Sequence, residues 1–69
     1  MEHKLSERLR ELRAEKRISQ AKLAKILNVD ISFIAQIELG KSLVSINMLI
    51  ALARHFNVST DYLLGLTDF

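Results

Sequence analysis

Few side chains in this sequence have the type and spacing needed for acid–base or nucleophilic chemistry. Two residues, His3 and His55, are of the type that can serve as an acid or a base near neutral pH. No Asp or Glu lies close enough in sequence to orient His55, which follows an arginine. The stretch Gly40-Lys41-Ser42 matches the end of a phosphate-binding loop, but the earlier glycine and a preceding strand are missing. We therefore interpret it as a helix stop, and we expect no catalysis, metal, cofactor or small-molecule ligand.

The composition predicts one small domain over residues 1–69, with stability supplied by packed helices. A chain of 69 residues buries about 60% of its unfolded surface, and 49% hydrophobic residues can fill such a core. There is no cysteine for a disulfide or a thiolate metal site. The apolar run 48–53 is too short to cross a bilayer, and the first residues lack the apolar core of a signal peptide. We expect a cytoplasmic protein without membrane contact.

Charge is distributed unevenly along the chain. Residues 1–25 contain eight Lys or Arg and four Glu, whereas residues 26–69 contain two basic and four acidic residues. A basic first third is typical of proteins that meet a polyanion. The alternative is a solvated helix face with i, i+3 pairs such as Glu7–Arg10 and Arg8–Glu11, and composition alone favours that alternative.

Hydrophobic spacing predicts an all-α fold. Leu5, Leu9 and Leu12 repeat at helical intervals, and no proline, strand alternation or internal repeat interrupts the chain. The pattern predicts helices at about 5–16, 20–27, 31–39, 46–56 and 60–64. For the fourth helix we expect a buried face consisting of Ile46, Leu49, Ile50, Ala53 and Phe56.

Short polar residues predict where the helices begin and end. N-caps are expected at Ser19, Asp30, Ser45 and at Ser59 or Thr60, since their side-chain oxygens accept from free backbone N–H groups. Asn28, Gly40, Asn57 and Gly65 each follow a helix, and we expect them to adopt the left-handed conformation that ends it. Arg17 occupies such a position too, and a left-handed arginine would carry strain of about 1 kcal/mol.

Residues 20–39, QAKLAKILNVDISFIAQIEL, resemble a helix-turn-helix, with Ala24 at the close crossing, Asn28 in the turn and Ile34 inside. Residues 8–65 as a whole resemble the phage-repressor family of the Xre or Cro/C1 type, through LR..R, SQ..LA, I..IE.GK and V..D.LLG. The resemblance implies a compact, five-helix, lambda-repressor-like domain. Its third helix would enter the major groove of double-stranded DNA, usually as a homodimer on a palindromic operator. The function that the resemblance implies is that of a transcriptional regulator, specifically a repressor.

Within that resemblance, Arg13 and Glu38 are expected to form the family's ion pair. A carboxylate at the end of an apolar face also needs a partner on physical grounds, although two unrelated surface charges are the alternative. Base contacts are expected from Gln20, Ile31, Ser32 and Gln36. Phosphate contacts are expected from Arg13, Ser19, Lys41 and Ser42.

Gln36 is the strongest candidate for base readout, because its amide can both donate to and accept from adenine. Ser32 is less selective, and Ile31 can only touch a thymine methyl group. Gln20 matches a family glutamine that bonds a phosphate and braces the recognition helix. This surface departs from relatives that carry Arg or Gln at 31, 36 and 39, and Asp30 adds a negative charge there.

The same departure supports a rival hypothesis, a helical protein-interaction module of antitoxin-like or anti-repressor type. Clustered exposed apolar residues indicate protein contacts, and five candidates are Ile26, Ile31, Phe33, Leu39 and Leu43. We expect at least half of them, Phe33 and Leu43 in particular, to pack at the edge of the core instead. Leu66 and Phe69 are expected either to form a dimer seam or to cover the open end of the domain.

Overall fold

Five α-helices account for the regular structure of residues 3–69, the part of the chain that the computed structural model describes. They are α1 (Leu5–Lys16), α2 (Gln20–Leu27), α3 (Ile31–Glu38), α4 (Ile46–Phe56) and α5 (Thr60–Leu64). No strand occurs within 3–69, and the helices pack into a unit of 28 × 23 × 20 Å. The predicted all-α, five-helix fold is confirmed. Met1 and Glu2, which the predicted domain includes, lie outside the described residues.

Four of the helices begin at a residue whose side chain accepts a backbone N–H from the first turn. The oxygens of Ser19, Ser45 and Ser59 accept at 3.0 Å, and Oδ1 of Asp30 accepts from Ser32 at 3.1 Å. Each cap satisfies one of the orphan donors at a helix start. The sequence predicted all four, because this chemistry is local.

Left-handed residues follow four helix ends. Asn28 and Asn57 have φ of 58° and 56°, and Gly65 has φ of 79°. Arg17 also adopts φ 56°, so the strain expected from its sequence position is present in the fold. Helix α3 differs: Leu39 stays right-handed after Glu38, one residue short of the predicted end, and Gly40 supplies the positive φ of 74°.

The core lies where α3 packs against α1 and α2 and where α5 packs against α1 and α4. Ala24 is buried where α2 packs on α3, since a small side chain lets the two helices approach closely. Every helix contributes at least one buried apolar residue. The set is Leu5, Leu9, Leu12, Leu23, Ala24, Ile34, Ile37, Leu52, Ala53, Phe56 and Leu63.

The buried face of α4 differs from the predicted one. Leu52, which was not expected inside, is fully buried together with Ala53 and Phe56, whereas Ile46 and Ile50 are exposed. Helix α4 is rotated so that 49, 52, 53 and 56 face the core. Two overlapping apolar stripes satisfy the helical period here, and packing against the other helices selects the second stripe.

Candidate nucleic-acid interface

An ion pair between α1 and α3 anchors the predicted helix-turn-helix. Nε of Arg13 donates to Oε2 of Glu38 at 2.6 Å, and a terminal nitrogen donates to Oε1 at 2.9 Å. The other terminal nitrogen donates to the carbonyl oxygen of Ile18 at 2.9 Å. Glu38 is only 4% exposed and Arg13 is 21% exposed at the side chain. This bidentate geometry holds the guanidinium and the carboxylate in one fixed orientation.

Two further side chains converge on Glu38. Nε2 of Gln20, at the start of α2, donates to Oε1 of Glu38 at 3.0 Å. Arg10 of α1 donates to the backbone carbonyl of Glu38, where the last carbonyls of α3 lack intrahelical partners. A cation at a helix C-terminus is also favoured by the helix dipole. Arg10, Arg13, Gln20 and Glu38, called here the Glu38 bracket, thus tie α1 and the start of α2 to the end of α3.

Sequence reasoning found the Arg13–Glu38 pair through the family resemblance but assigned Arg10 and Arg8 to pairs along their own helix. The guanidinium carbon of Arg8 instead lies over the ring of Tyr62, 4.1 Å from the ring centroid. A terminal nitrogen of Arg8 lies 3.6 Å from Oδ1 of Asp68. The available signal was that Arg10 lies three residues before Arg13, on the same face of α1. Three arginines of the basic first third therefore serve the fold.

The pKa values of the pair move in the directions that stabilise both charges. Burial raises the pKa of Glu38, but hydrogen bonds from Arg13 and Gln20 and the charges of Arg13 and Arg10 outweigh burial. The pKa of Glu38 therefore lies below its ordinary value. The hydrogen bond to Glu38 raises the pKa of Arg13 further above neutrality. Glu38 stays ionised throughout the physiological range.

Acid should weaken the fold through Glu38. Its folded-state pKa is depressed, so its contribution is fully present above the unfolded value, about 4.3, and is lost as pH falls through the folded value. Free energies of unfolding from urea titrations between pH 7 and pH 3 test this. The difference in free energy of unfolding between the wild type and Glu38→Gln should become smaller below about pH 4.3. A gap independent of pH would contradict the assignment, and this comparison removes the shared effect of other carboxylates.

The outward side of α3 presents the side chains expected to read bases. Ile34 and Ile37 are buried, which leaves Ile31, Ser32 and Gln36 exposed to solvent. Within residues 3–69, neither the Ser32 hydroxyl nor the Gln36 side-chain amide is engaged in a hydrogen bond, whereas the Ser32 backbone N–H donates to Asp30 and the Gln36 backbone carbonyl accepts from Lys41. The donors and acceptors of this surface therefore remain available to an external ligand.

Gln20 differs from Ser32 and Gln36 because its side-chain amide already makes a hydrogen bond within the protein. Its amide nitrogen is committed to Glu38, so the base contact expected from sequence has to rely on its remaining amide groups. The same hydrogen bond connects the start of α2 to the end of α3.

The residues expected at phosphates occupy different environments. Lys41 is exposed directly after α3, and the hydroxyl of Ser19 accepts from Lys22 while its own hydrogen stays free to donate. The hydroxyl of Ser42 donates to the carbonyl of Leu43 at 3.2 Å, leaving its lone pairs. All three guanidinium nitrogens of Arg13 donate to internal acceptors. Arg13 therefore has a structural role in this fold, and none of its guanidinium nitrogens is left without an internal acceptor.

The apolar residues near α3 are more exposed than predicted. Phe33 does pack at the edge of the core, but Leu43, expected to do the same, is 90% exposed. Ile26, Ile31 and Leu39 are exposed as well, so most of the five candidates face solvent. Leu43 lies in the extended segment before α4, where alternate side chains point in opposite directions and Val44 is the one that packs on the core.

The apolar residues that follow α5 are exposed to solvent as well. Leu66 and Phe69 are both exposed, so they do not cover the end of the domain.

Within residues 3–69 no three His, Cys, Asp or Glu side chains come together as a metal site. None of the described helices has the length and apolar character required to cross a bilayer.

Comparison with known proteins agrees with this geometry. A family model described as helix-turn-helix matches residues 9–63, which include most of α1, all of α2, α3 and α4, and most of α5. No curated protein matches the chain. The matched range contains the whole Glu38 bracket and the outward face of α3. The chain therefore belongs to the DNA-binding helix-turn-helix family of the Xre or Cro/C1 type.

Proposed function

We propose that this protein is a cytoplasmic, homodimeric transcriptional repressor that binds a palindromic operator in double-stranded DNA. Helix α3 lies in the major groove, and occupancy of the operator blocks transcription. The observation that carries this proposal is the Glu38 bracket, because it fixes α3 against α1 and α2 while the Ser32 and Gln36 side chains stay exposed. A rigid helix with free polar groups on one side is what groove readout requires.

Each exposed group has a distinct part in this proposal. Gln36 reads adenine with its amide, Ser32 contacts a base or phosphate, and Ile31 touches a thymine methyl group. Gln20 braces α3 through Glu38 and directs the rest of its amide toward the DNA. These contacts carry sequence information, whereas phosphate contacts set position.

Phosphate contacts come from the edges of the same surface. We assign these contacts to Lys41 and to the Ser19 and Ser42 hydroxyls, while Arg13 acts indirectly through Glu38. Backbone N–H groups at the start of α2 add to the anion-binding character of that edge. Few cations are involved, so one copy binds weakly and useful affinity requires two copies on half-sites about 34 Å apart.

Titration into random duplex DNA at two salt concentrations tests the proposal. The logarithm of affinity should fall with the logarithm of salt, by a slope of about −0.9 for each phosphate neutralised. Lys41→Glu should weaken this binding and reduce the slope by about one unit. The matched control is Arg54→Glu, which changes net charge equally at an exposed position on α4. Equal losses in both variants would show that net charge alone, and not this surface, governs binding.

The rival function is a protein-interaction module that uses α3 for a partner. The exposure of Ile31 and Leu39 favours it, since these residues flank the polar groups of the same helix. Absence of DNA binding at low salt, at protein concentrations well above those of the DNA, would support this rival. Salt-dependent binding that depends on Lys41 would exclude it as the main function.

A further inference from the structure

The outward side of α3 contains more aliphatic surface than base readout by Ser32 and Gln36 requires. Ile31 is 47% exposed and Leu39 is 63% exposed. Leu39 is the first residue after α3, but its backbone is right-handed and its N–H donates to the carbonyl of Ala35 at 3.0 Å. The side chain of Leu39 therefore continues the helical path and projects from the same helix as Ile31.

Leu39 lies in the middle of this outward side. Each helical residue adds about 100° of rotation, so Leu39 lies about 80° around the axis from Ile31 and about 60° from Gln36. Ser32 lies within about 20° of Leu39. Aliphatic and polar side chains are thus interleaved on one surface, called here the α3 face and formed by Ile31, Ser32, Gln36 and Leu39. A ligand that spans the two polar residues also meets the two aliphatic ones.

The α3 face has no charged group with which to select guanine. Residues 31–37 contain no charged side chain, and Glu38 is buried within the Glu38 bracket. Arginine and lysine, which most often select guanine, are therefore missing from this surface. The apolar group that a base presents in the major groove is a methyl group at C5 of a pyrimidine, as in thymine. 5-Methylcytosine carries the same group at the same position.

DNA suits this surface better than an apolar protein partner does. In a dry protein contact the Ser32 hydroxyl and the Gln36 amide would lose water without gaining partners, which is unfavourable. The major groove instead offers donors and acceptors beside its methyl groups. Lys41 is exposed two residues beyond Leu39, next to this surface, and its charge is complementary to phosphate.

We propose that Ile31 and Leu39 recognise C5 methyl groups of pyrimidines, so that this protein prefers operators carrying two such groups close together in each half-site. This deepens the proposed function and rests on DNA binding by α3. The two residues are eight positions apart, about 12 Å along the helix axis, and base pairs are about 3.4 Å apart. The two methyl groups are therefore expected within about four base pairs of each other.

Substituting uracil for thymine in an operator selected from random DNA tests this inference. Uracil pairs as thymine does and lacks only the C5 methyl group. Affinity should fall about fourfold for each methyl group contacted, the factor that corresponds to burial of one methyl-sized group. Random duplexes made with uracil should bind as well as those made with thymine, because that binding depends on phosphates.

A second substitution, of 5-methylcytosine for cytosine in the same operator, distinguishes the two sources of the methyl group. A loss of affinity with uracil assigns the contact to thymine. A gain of about fourfold with 5-methylcytosine, without a loss with uracil, assigns it to methylated cytosine. An operator that shows neither the loss nor the gain would overturn the inference.

Leu39→Ala connects the effect to its side chain. The dependence of affinity on the methyl groups should be about fourfold smaller in this variant, because one methyl group has already lost its partner. Leu66→Ala is the matched control, at 65% exposure beyond α5, and should keep the full dependence. Equal dependence in Leu39→Ala and the wild type would mean that the methyl groups act through DNA shape, and would overturn the assignment. Circular dichroism verifies that each variant keeps its helices.

Failure of this inference is distinguishable from failure of the proposed function. If an operator is selected and is bound equally with and without C5 methyl groups, the function stands and the inference fails. If the protein binds no duplex at low salt, both fail.

Discussion

Replacing Arg13 with alanine is expected to destabilise the fold by about 3–5 kcal/mol, close to the total stability of a domain this small. The substitution removes three hydrogen bonds and leaves the Glu38 carboxylate, 4% exposed, without its ionic partner. Most of that cost arises from the charge left behind in a buried site, and only part from the lost attraction. A large fraction of Arg13→Ala molecules should therefore be unfolded at 25 °C.

Urea titration followed by circular dichroism measures this effect, with Arg54→Ala as the control at an exposed arginine. The double variant Arg13→Met/Glu38→Leu should be more stable than Arg13→Ala, because it removes the buried charge along with its partner. An Arg13→Ala variant within about 1 kcal/mol of the wild type would mean that the pair behaves as a surface ion pair.

The parts of the fold that the sequence predicted are those decided locally. Ser19 and Asp30 cap their helices through bonds that span two or three residues, so residue type and spacing are sufficient. The left-handed conformation of Arg17 was likewise expected from its position after α1. The rotation of α4 could not be predicted in this way, since Ile46 and Ile50 fit the helical period as well as Leu52 does.

The candidate site also contains contacts that could be predicted from the sequence and contacts that could not. Glu38 is contacted by residues 18 to 28 positions away, and no local rule selects those partners from the many cations of α1. Resemblance supplied Arg13 and a bracing role for Gln20, but it did not supply Arg10 or identify Glu38 as the acceptor for Gln20. It also placed Arg13 at a phosphate, although its nitrogens are used inside the fold.

Stability and binding are coupled through Glu38 in this arrangement. Gln20 and Arg13 hold the end of α3, so weakening either contact both destabilises the protein and loosens the helix proposed to read DNA. Variants in the Glu38 bracket should consequently lose affinity for every DNA sequence. A variant that loses affinity for one sequence only has to involve a side chain outside the bracket.

Gln36→Ala is expected to be such a variant. Gln36 is exposed on the outward side of α3 and is not part of the Glu38 bracket, so truncating it should leave stability nearly unchanged. On an operator obtained by selection from random DNA, the loss should be about 1–3 kcal/mol for each Gln36–base contact. Binding to unselected DNA should stay the same, because that binding depends on phosphates.

Affinities of wild type and Gln36→Ala for the selected operator and for random duplex, measured at one salt concentration, decide this. The informative quantity is the ratio of the two affinities, since errors in active protein concentration cancel in it. A ratio reduced about tenfold would assign Gln36 to base readout, because 1.4 kcal/mol corresponds to that factor. Equal losses on both sequences would instead make Gln36 a general contact and transfer the reading of sequence to Ser32, Ile31 and the shape of the operator.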